Sequence, residues 1–388
     1  MARLGDIGKV VTGNTPKTSD SQNYTSNDIC FVKPSDIADG IVTYLNDSEF
    51  YISEYARAKA RILPPQSVLV TCIGIIGKVA INDVECAFNQ QINAIIPDNS
   101  KCLTEYLAYA IQNKQPEMQD VANAPVVPIL NKTQFSDIEI NLPSLTEQEE
   151  IVEKLNTVSR LIALRKEQLA KSDQLVKSRF IELFGDPVQN PMGWEVVLLK
   201  NVTSKIGSGA TPKGGKESYQ AEGITLIRSM NVHDGRFEYK DLAHITDEQA
   251  KQLENVTVEE NDVFINITGA SVARSCIVPN HILPARVNQH VAIIRCITSM
   301  LNPVFANQMF LNTSFKVQLL DIGESGGATR QAITKQQLES LDVVLPPIEL
   351  QEQFAAFVEQ TDKSKLAIQA SLDKLELLKK SLMQEYFG

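Results

Sequence analysis

The sequence predicts an α+β protein built as a pseudo-two-fold internal repeat. In this fold, two similar β-rich globular domains are separated by two long helices that form an antiparallel coiled coil. Three observations lead to it. Segments recur in the same order about 200 residues apart, and β-branched runs broken by glycine lie inside both copies. Each copy then ends in a long segment with an apolar residue at nearly every seventh position.

The repeat is visible in four pairs of matching segments. LGDIGKVVTGNTPK matches LKNVTSKIGSGATPK, FVKPSDIADGIVTY matches LIRSMNVHDGRFEY, and FNQQINAI matches VNQHVAII. The fourth pair is LPSLTEQEEIVEKL and LPPIELQEQFAAFV, and each copy ends on Phe-Gly. These matches divide the chain into a first domain, a central helix, a second domain and a C-terminal helix, at residues 1–143, 144–185, 186–345 and 346–388.

The globular part of each copy is predicted to have a β core. Residues 68–81 and 262–278 are β-branched runs interrupted by glycine, which is typical of two strands joined by a turn. The apolar spacing changes to that of a helix at residues 103–111 and 302–320.

The long segments are predicted to be helices that pack along their length. A seven-residue apolar period favours a coiled coil, and residues 147–184 would extend on the order of 57 Å as a helix. A globular domain of about 140 residues is only about 30 Å across. A helix that lies on its own domain along its whole length is therefore the weaker alternative. A mutual antiparallel pair would hold the two domains at opposite ends of a rod. The predicted contact residues are Ile151, Leu155, Ile162, Leu169 and Val176 in the first helix and Phe354, Ile368, Leu372, Leu375 and Leu382 in the second.

Composition indicates a cytoplasmic protein with reduced thiols. The N-terminus lacks a signal-peptide pattern, no apolar run reaches membrane-spanning length, and six cysteines are scattered without a CxxC pair. The net charge of −10 argues against a basic nucleic-acid-binding block. Any contact with DNA must therefore come from local patches, or a partner must supply part of the positive surface.

The segments that resemble catalytic motifs lack residues that the chemistry requires, which indicates a binding protein and not an enzyme. GESGG, with Ser325 at its centre, matches the nucleophile elbow of hydrolases, but no histidine follows it in the chain. The four histidines lack metal-ligand spacing.

The ordered motifs resemble the specificity (S) subunits of type I restriction–modification systems. The resemblance rests on the proline–glutamate/glutamine corner before each long helix, the two G-x-T-P stretches (residues 13–16 and 209–212) and the lead-in NPMGWEVVLL, and it covers essentially the whole chain. The first copy departs from the pattern because it lacks the G-W-E lead-in.

The resemblance implies a non-catalytic subunit with two target recognition domains, each reading one half of a split DNA sequence. It also implies that the long helices set the spacer and dock two modification (M) subunits, with restriction (R) subunits joining. No cofactor is expected on this chain, while S-adenosylmethionine, ATP and Mg are expected on the partner subunits.

Residues that could contact DNA are basic or amide side chains in glycine-broken turns, because these are the groups that bind phosphates and base edges. For any one of them the alternative is a solvated surface residue. Asn89 and Gln90, with Asn288 and Gln289, could instead satisfy buried backbone groups, and the G-x-T-P residues are expected to shape a turn. The candidates are Lys17, Lys33, Lys78 and Gln90 in the first copy and Lys213, Lys216, Arg228, Arg274, Gln289 and Arg330 in the second.

Two other interpretations stay open. One is an adaptor with two protein-binding domains on a helical rod and no DNA role, which the acidic balance favours. The other is an orphan S subunit without partners. The sequence also leaves open whether the helices pair within one chain or between two.

Overall fold

The computed structural model describes residues 1–122, 128–212, 214–324 and 331–388. The chain forms two compact units. The first unit is Met1–Lys166 with Ala370–Gly388, and the second unit is Glu167–Gln369. Both units mix helix and sheet, which confirms the predicted α+β class.

Short strands form the core of the first unit. They are β1 (Ala2–Arg3), β2 (Gly8–Thr12), β3 (Ile29–Val32), β4 (Val42–Leu45), β5 (Tyr51–Ile52), β6 (Ile62–Leu63), β7 (Val68–Thr71), β8 (Val79–Asn82), β9 (Cys86–Phe88), β10 (Ile92–Pro97) and β11 (Glu139–Ile140). One sheet has the order β2-β10-β7-β8-β4 and another the order β5-β3-β9-β6. The pair β7 and β8 confirms the strand–turn–strand prediction for residues 68–81.

Helices pack against the first of these two sheets and lead into the first long helix. They are α1 (Leu4–Ile7), α2 (Thr104–Asn113), α3 (Gln115–Val121), α4 (Lys132–Asp137) and the long α5 (Leu145–Phe184). Helix α2 places Tyr106 and Leu107, both fully buried, in the same core cluster as Val68 and Val79 of the sheet. The helix predicted at residues 103–111 is thus confirmed.

The second unit repeats this arrangement. Its strands are β12 (Glu195–Leu198), β13 (Thr203–Ser208), β14 (Ile224–Ile227), β15 (Val232–His233), β16 (Arg236–Phe237), β17 (Ala243–Ile245), β18 (Val263–Asn266), β19 (Ser275–Ile277), β20 (Ala285–Val287), β21 (Val291–Cys296) and β22 (Asp342–Leu345). The sheet order β13-β21-β18-β19 corresponds to β2-β10-β7-β8, and β17-β14-β20 corresponds to β5-β3-β9. The helices are α6 (Asp247–Gln252), α7 (Pro303–Leu311), α8 (Thr313–Glu324), α9 (Lys335–Glu339) and the long α10 (Ile348–Phe387).

The two long helices pack together antiparallel, as predicted. In the first unit, Lys166 of α5 pairs with Glu376 of α10 at 2.9 Å, and Lys154 donates to the Tyr386 hydroxyl at 3.3 Å. In the second unit, Asp173 pairs with Lys365 at 2.7 Å. Residue numbers increase along α5 while those of the contacting residues in α10 decrease, so the helices run in opposite directions. The pairing occurs within one chain.

The predicted contact residues of the helices differ in burial. Leu155, Val176, Phe354 and Leu372 are buried, whereas the remaining six are half-buried: Ile151, Ile162, Leu169, Ile368, Leu375 and Leu382. Val176 and Phe354 belong to the core cluster of the second unit, and Ile151 packs against the core of the first. Ile151, Val176 and Phe354, which stand near the ends of these rows, therefore join the globular cores of their own units.

Candidate nucleic-acid interface

The first G-x-T-P stretch packs tightly against the turn that carries Asn89 and Gln90. The Gly13 amide donates to the Ile92 carbonyl at 3.1 Å, and the Asn14 amide donates to the Phe88 carbonyl at 3.0 Å. A Cβ on Gly13 would lie 2.1 Å from the Asn89 carbonyl oxygen, so only glycine fits there. The stretch does shape a turn, as expected, and it also fixes where the turn lies.

The second G-x-T-P stretch makes the same approach. The Gly209 amide donates to the Asn288 carbonyl at 3.1 Å, and a Cβ at Gly209 would lie 1.8 Å from the Val287 carbonyl oxygen. Each glycine therefore brings the threonine two residues later next to the Asn-Gln turn of its own unit.

These threonines hold the glutamines of the neighbouring turns. The Thr15 hydroxyl donates to Gln90 Oε1 at 2.7 Å, and the Thr211 hydroxyl donates to Gln289 Oε1. Thr15, Gln90 and Thr211 are exposed and Gln289 is half-buried. This role of the threonines was not predicted from the sequence. The signal for it was a threonine that recurs with an Asn-Gln pair in both copies.

The asparagine beside each glutamine has a structural role. Asn89 Oδ1 accepts from the Gln91 amide at 3.1 Å, and Asn288 Oδ1 accepts from the His290 amide at 3.0 Å. Both asparagines are buried. The alternative raised for the Asn-Gln pairs therefore applies to the asparagines, while the glutamines remain at the surface.

Lys78 is engaged inside the first unit. Its ammonium group donates to the carbonyls of Pro34 and Ile37 at 2.9 and 2.7 Å, which holds the turn after β3. Lys33 lies with its ammonium 3.0 Å from the ring centroid of Phe50. No described residue forms a hydrogen bond or ion pair with the exposed Lys17 side chain.

The second unit uses an asparagine where the first uses Lys78. Asn266 Nδ2 donates to the carbonyls of Ser229 and Val232 at 2.9 and 3.4 Å. Arg274 occupies the position matching Lys78, because the Asn266 amide bonds the Arg274 carbonyl as the Thr71 amide bonds that of Lys78. The half-buried Arg274 side chain has no hydrogen-bond or ion-pair partner in the described part of the chain.

The remaining candidates of the second copy are only partly described. The Arg228 guanidinium donates to the Asp241 carbonyl and lies 5.4 Å from the Tyr219 ring centroid, so local contacts hold it. Lys216 lies in the 3-10 turn Gly215–Ser218. Lys213, Arg330, the side chain of Lys216 and the rejected nucleophile Ser325 lie outside the described residues.

Aromatic residues beside the first turn were not anticipated from the sequence. The Tyr24 hydroxyl donates to the Pro16 carbonyl at 2.7 Å, and the Lys59 ammonium lies 3.5 Å from the Tyr55 ring centroid. Both rings are exposed. Exposed aromatic and cationic groups beside a rigid polar turn suit contact with nucleic acid.

Metal ligands and membrane spans are absent from the described residues. No cluster of three or more histidine, cysteine, aspartate or glutamate side chains there could hold a metal ion. Within the same residues, every helix is too short or too polar to cross a bilayer.

The family model, relatives and solved structures that this chain resembles all come from type I restriction–modification systems. A family model described as "Type I restriction modification DNA specificity domain" matches residues 1–172 and 191–377. The MjaIX specificity subunit of Methanocaldococcus jannaschii is 26% identical over 382 residues, covering 92% of this chain and 85% of that protein. The crystal structure of a type I S subunit from M. genitalium matches with a TM-score of 0.60 at 12% identity, over 100% of this chain and 95% of that one. A chain from a structure of a type I R-M system matches with a TM-score of 0.59 at 19% identity, covering 99% and 96%.

Proposed function

The chain belongs to the type I restriction–modification DNA specificity family, and we propose that it reads a split, asymmetric double-stranded DNA target with one half-site per repeat. As a specificity subunit it is a non-catalytic component of a restriction–modification enzyme. The observation that carries the proposal is the exposed Thr–Gln arrangement, which recurs in both units on turns of the same geometry.

The differences between the units support an asymmetric target. Lys78 is held by backbone carbonyls in the first unit, whereas the matching Arg274 is unengaged by described residues. Gln91 in the first unit is replaced by His290 in the second. Two related folds that present different polar side chains suit two different short DNA sequences.

Two half-sites improve discrimination for a physical reason. A mismatched base pair costs only about 1–3 kcal/mol, so one domain reading a few base pairs selects poorly in a genome. A second tethered domain binds at an effective concentration on the order of millimolar, but only when its half-site lies at the right spacing. The paired long helices would set that spacing.

The partners belong to the same proposal. Two M subunits would dock on the long helices and close positive surface around the DNA, which answers the net charge of −10. R subunits would join them in the cytoplasm. S-adenosylmethionine, ATP and Mg would then be bound by these partners.

Long-read methylation mapping of the host, with and without this gene, tests the proposal. We expect a split N6-methyladenine motif that disappears when the gene is deleted. A methylome that does not change on deletion would contradict the function in this host.

The acidic charge favours one second candidate, an adaptor that binds proteins through both domains. A gel-shift assay at low salt, with and without M subunits, separates the two. An adaptor leaves DNA unshifted in both cases. An orphan S subunit shifts DNA although the host carries no matching methylation.

A further inference from the structure

Gln90 is a surface residue whose side chain is nevertheless fixed. Its Oε1 accepts from the Thr15 hydroxyl at 2.7 Å, and both residues are exposed. Exposed polar side chains ordinarily bond water, and ordering one costs conformational entropy. The same arrangement recurs between Thr211 and Gln289, so an ordered surface glutamine is built twice.

The threonine is held by a rigid support. On one side of Thr15, the Asn14 side chain donates to the Lys59 carbonyl at 2.7 Å and accepts from the Arg61 amide at 2.8 Å. On the other side, the Pro16 carbonyl accepts from the Tyr24 hydroxyl at 2.7 Å. Together with the close approach of Gly13, these contacts leave the Thr15 hydroxyl little freedom to move away from Gln90.

The bonding that remains free on Gln90 has a defined pattern. A carboxamide oxygen has two lone pairs and its nitrogen carries two N–H groups. The threonine uses one lone pair, which leaves an acceptor and a donor side by side. In the major groove adenine offers the complementary pair, an N7 acceptor and an N6 donor, and a bidentate contact from glutamine matches it.

We propose that Gln90 and Gln289 each recognise an adenine in one half-site, and that Thr15 and Thr211 are the positioning residues that orient these carboxamides. The proposal rests on the proposed function and deepens it, because it names the base class and the residues that read it. It also gives the G-x-T-P stretches a role in specificity beyond the shape of a turn.

The second unit adds a further restraint to its glutamine. Gln289 Nε2 lies 3.0 Å from His290 Nε2, and His290 Nδ1 is bonded to the Thr268 hydroxyl. One N–H of Gln289 is therefore used inside the protein, and one N–H with one lone pair remains for the base. In the first unit Gln91 replaces this histidine and bonds Asn89 instead, at 2.9 Å.

The test replaces the host gene with variants of the full chain and maps the methylated sequences by long reads. The variants are Thr15→Val, Thr211→Val and Gln90→Ala, with Thr15→Ser as the conservative control that keeps the hydroxyl. For Thr15→Val and Gln90→Ala we expect methylation of targets substituted at one A·T pair of one half-site to rise about tenfold relative to the intact target. Thr211→Val should relax one A·T pair of the other half-site, and Thr15→Ser should keep the wild-type motif.

Three outcomes would overturn the inference while the proposed function stands. The first is an unchanged motif in Thr15→Val and Gln90→Ala. The second is a uniform fall of methylation at all sites, which would indicate a phosphate contact. The third is a loss of sequence preference at a G·C pair. If the wild-type chain directs no split motif, the proposed function itself fails. A soluble-protein measurement on each variant separates low abundance from altered specificity, since low abundance changes all sites equally.

Discussion

Gln148 and Gln351 make the same three hydrogen bonds in the two units, each in the first turn of a long helix. Gln351 Oε1 accepts from the Asn302 amide at 2.8 Å, and its Nε2 donates to the carbonyls of Met300 and Pro346 at 3.1 and 2.8 Å. The side chain is fully buried. It therefore ties the start of α10, the loop before α7 and the proline corner into one joint.

Gln148 forms the matching joint in the first unit. Its Oε1 accepts from the Leu103 amide at 2.9 Å, and its Nε2 donates to the carbonyls of Lys101 and Pro143 at 3.0 and 2.9 Å. Gln148 and Gln351 thus fix the direction in which each long helix leaves the globular part of its own unit.

Gln351→Ala should lower the free energy of unfolding of the second unit by about 3 kcal/mol, because three buried backbone groups lose their partner. Trp194 is the single tryptophan of the sequence and lies in the second unit, where its indole donates to the Phe184 carbonyl. Denaturant unfolding followed by its fluorescence measures the effect. The exposed Gln353→Ala is the control, and an equal shift in both variants would contradict the joint.

Gly209→Ala should destabilise the second unit by about 3 kcal/mol or more, because the new methyl group collides with a backbone carbonyl that cannot rotate away. Gly207→Ala, two residues earlier in β13, is the matched control, since a Cβ there meets nothing within 4 Å. Trp194 fluorescence again reports the transition. Wild-type stability in Gly209→Ala would show that the turn does not lie where the structure places it.

Lys78 and Arg274 occupy matching positions, but replacing them with methionine should affect stability differently. Lys78→Met leaves the carbonyls of Pro34 and Ile37 without a donor, so we expect a loss of about 1–2 kcal/mol and faster amide hydrogen exchange around residues 34–37. Arg274→Met should leave exchange in the second unit unchanged. Hydrogen-exchange mass spectrometry of both variants checks this contrast.

DNA binding by these variants provides the second half of the comparison. If Arg274 contacts a phosphate, Arg274→Met weakens binding to all sequences and lowers the slope of log affinity against log salt by about 1. Fluorescence anisotropy at several salt concentrations measures that slope. An unchanged slope together with unchanged affinity would remove Arg274 from the interface.

Lys379→Met should stabilise the first unit. Burial, and to a lesser extent the nearby Lys166, lowers the pKa of Lys379, so the charged form is less favourable in the folded state than in the unfolded one. The penalty is present below the lowered pKa and disappears as pH rises towards the ordinary value of lysine. The gain from Lys379→Met should therefore be larger at pH 7 than at pH 10 in thermal unfolding. The exposed Lys380→Met, on the same helix, is the control for the loss of one positive charge.

Much of the fold could be predicted from the sequence because its signals are periodic or repeated. The seven-residue rows predicted both long helices, and Pro143 and Pro346 stand two residues before their observed starts at Leu145 and Ile348. Glycine-broken β-branched runs predicted the pairs β7–β8 and β18–β19. Such patterns reflect local geometry that the chain specifies without knowledge of distant contacts.

The candidate site was less predictable because residue type does not reveal which partner a side chain finds. Lys78 and Arg274 look alike in sequence, yet only Lys78 is engaged by carbonyls, because Asn266 fills that role in the second unit. The bonds from Thr15 to Gln90 and from Thr211 to Gln289 join residues 75 and 78 positions apart. Contacts of this kind depend on the folded sheet and leave no periodic signal.

Burial along the long helices was also only partly foreseeable. Lys365 pairs with Asp173 across the two helices, and although burial lowers its pKa, the hydrogen bonds to Asp173 and Asp362 and the charges of these carboxylates together raise the pKa by more. The seven-residue period identified one row of contacts, in which Thr361 is a polar member, whereas Lys365 shows that a charged residue takes part as well. A lysine at such a position gives no apolar signal.

If the paired long helices set the distance between two DNA-reading domains, inserting one seven-residue repeat into each helix should change the spacer of the DNA target. The insertion keeps the apolar period and lengthens the pair by about 10 Å, which corresponds to roughly 3 base pairs of duplex. Long-read mapping of the methylated motif in the host is the measurement. We predict a spacer longer by about 3 base pairs with both half-sites unchanged, whereas an unaltered spacer in a methylation-competent variant would show that the helices do not set the spacing.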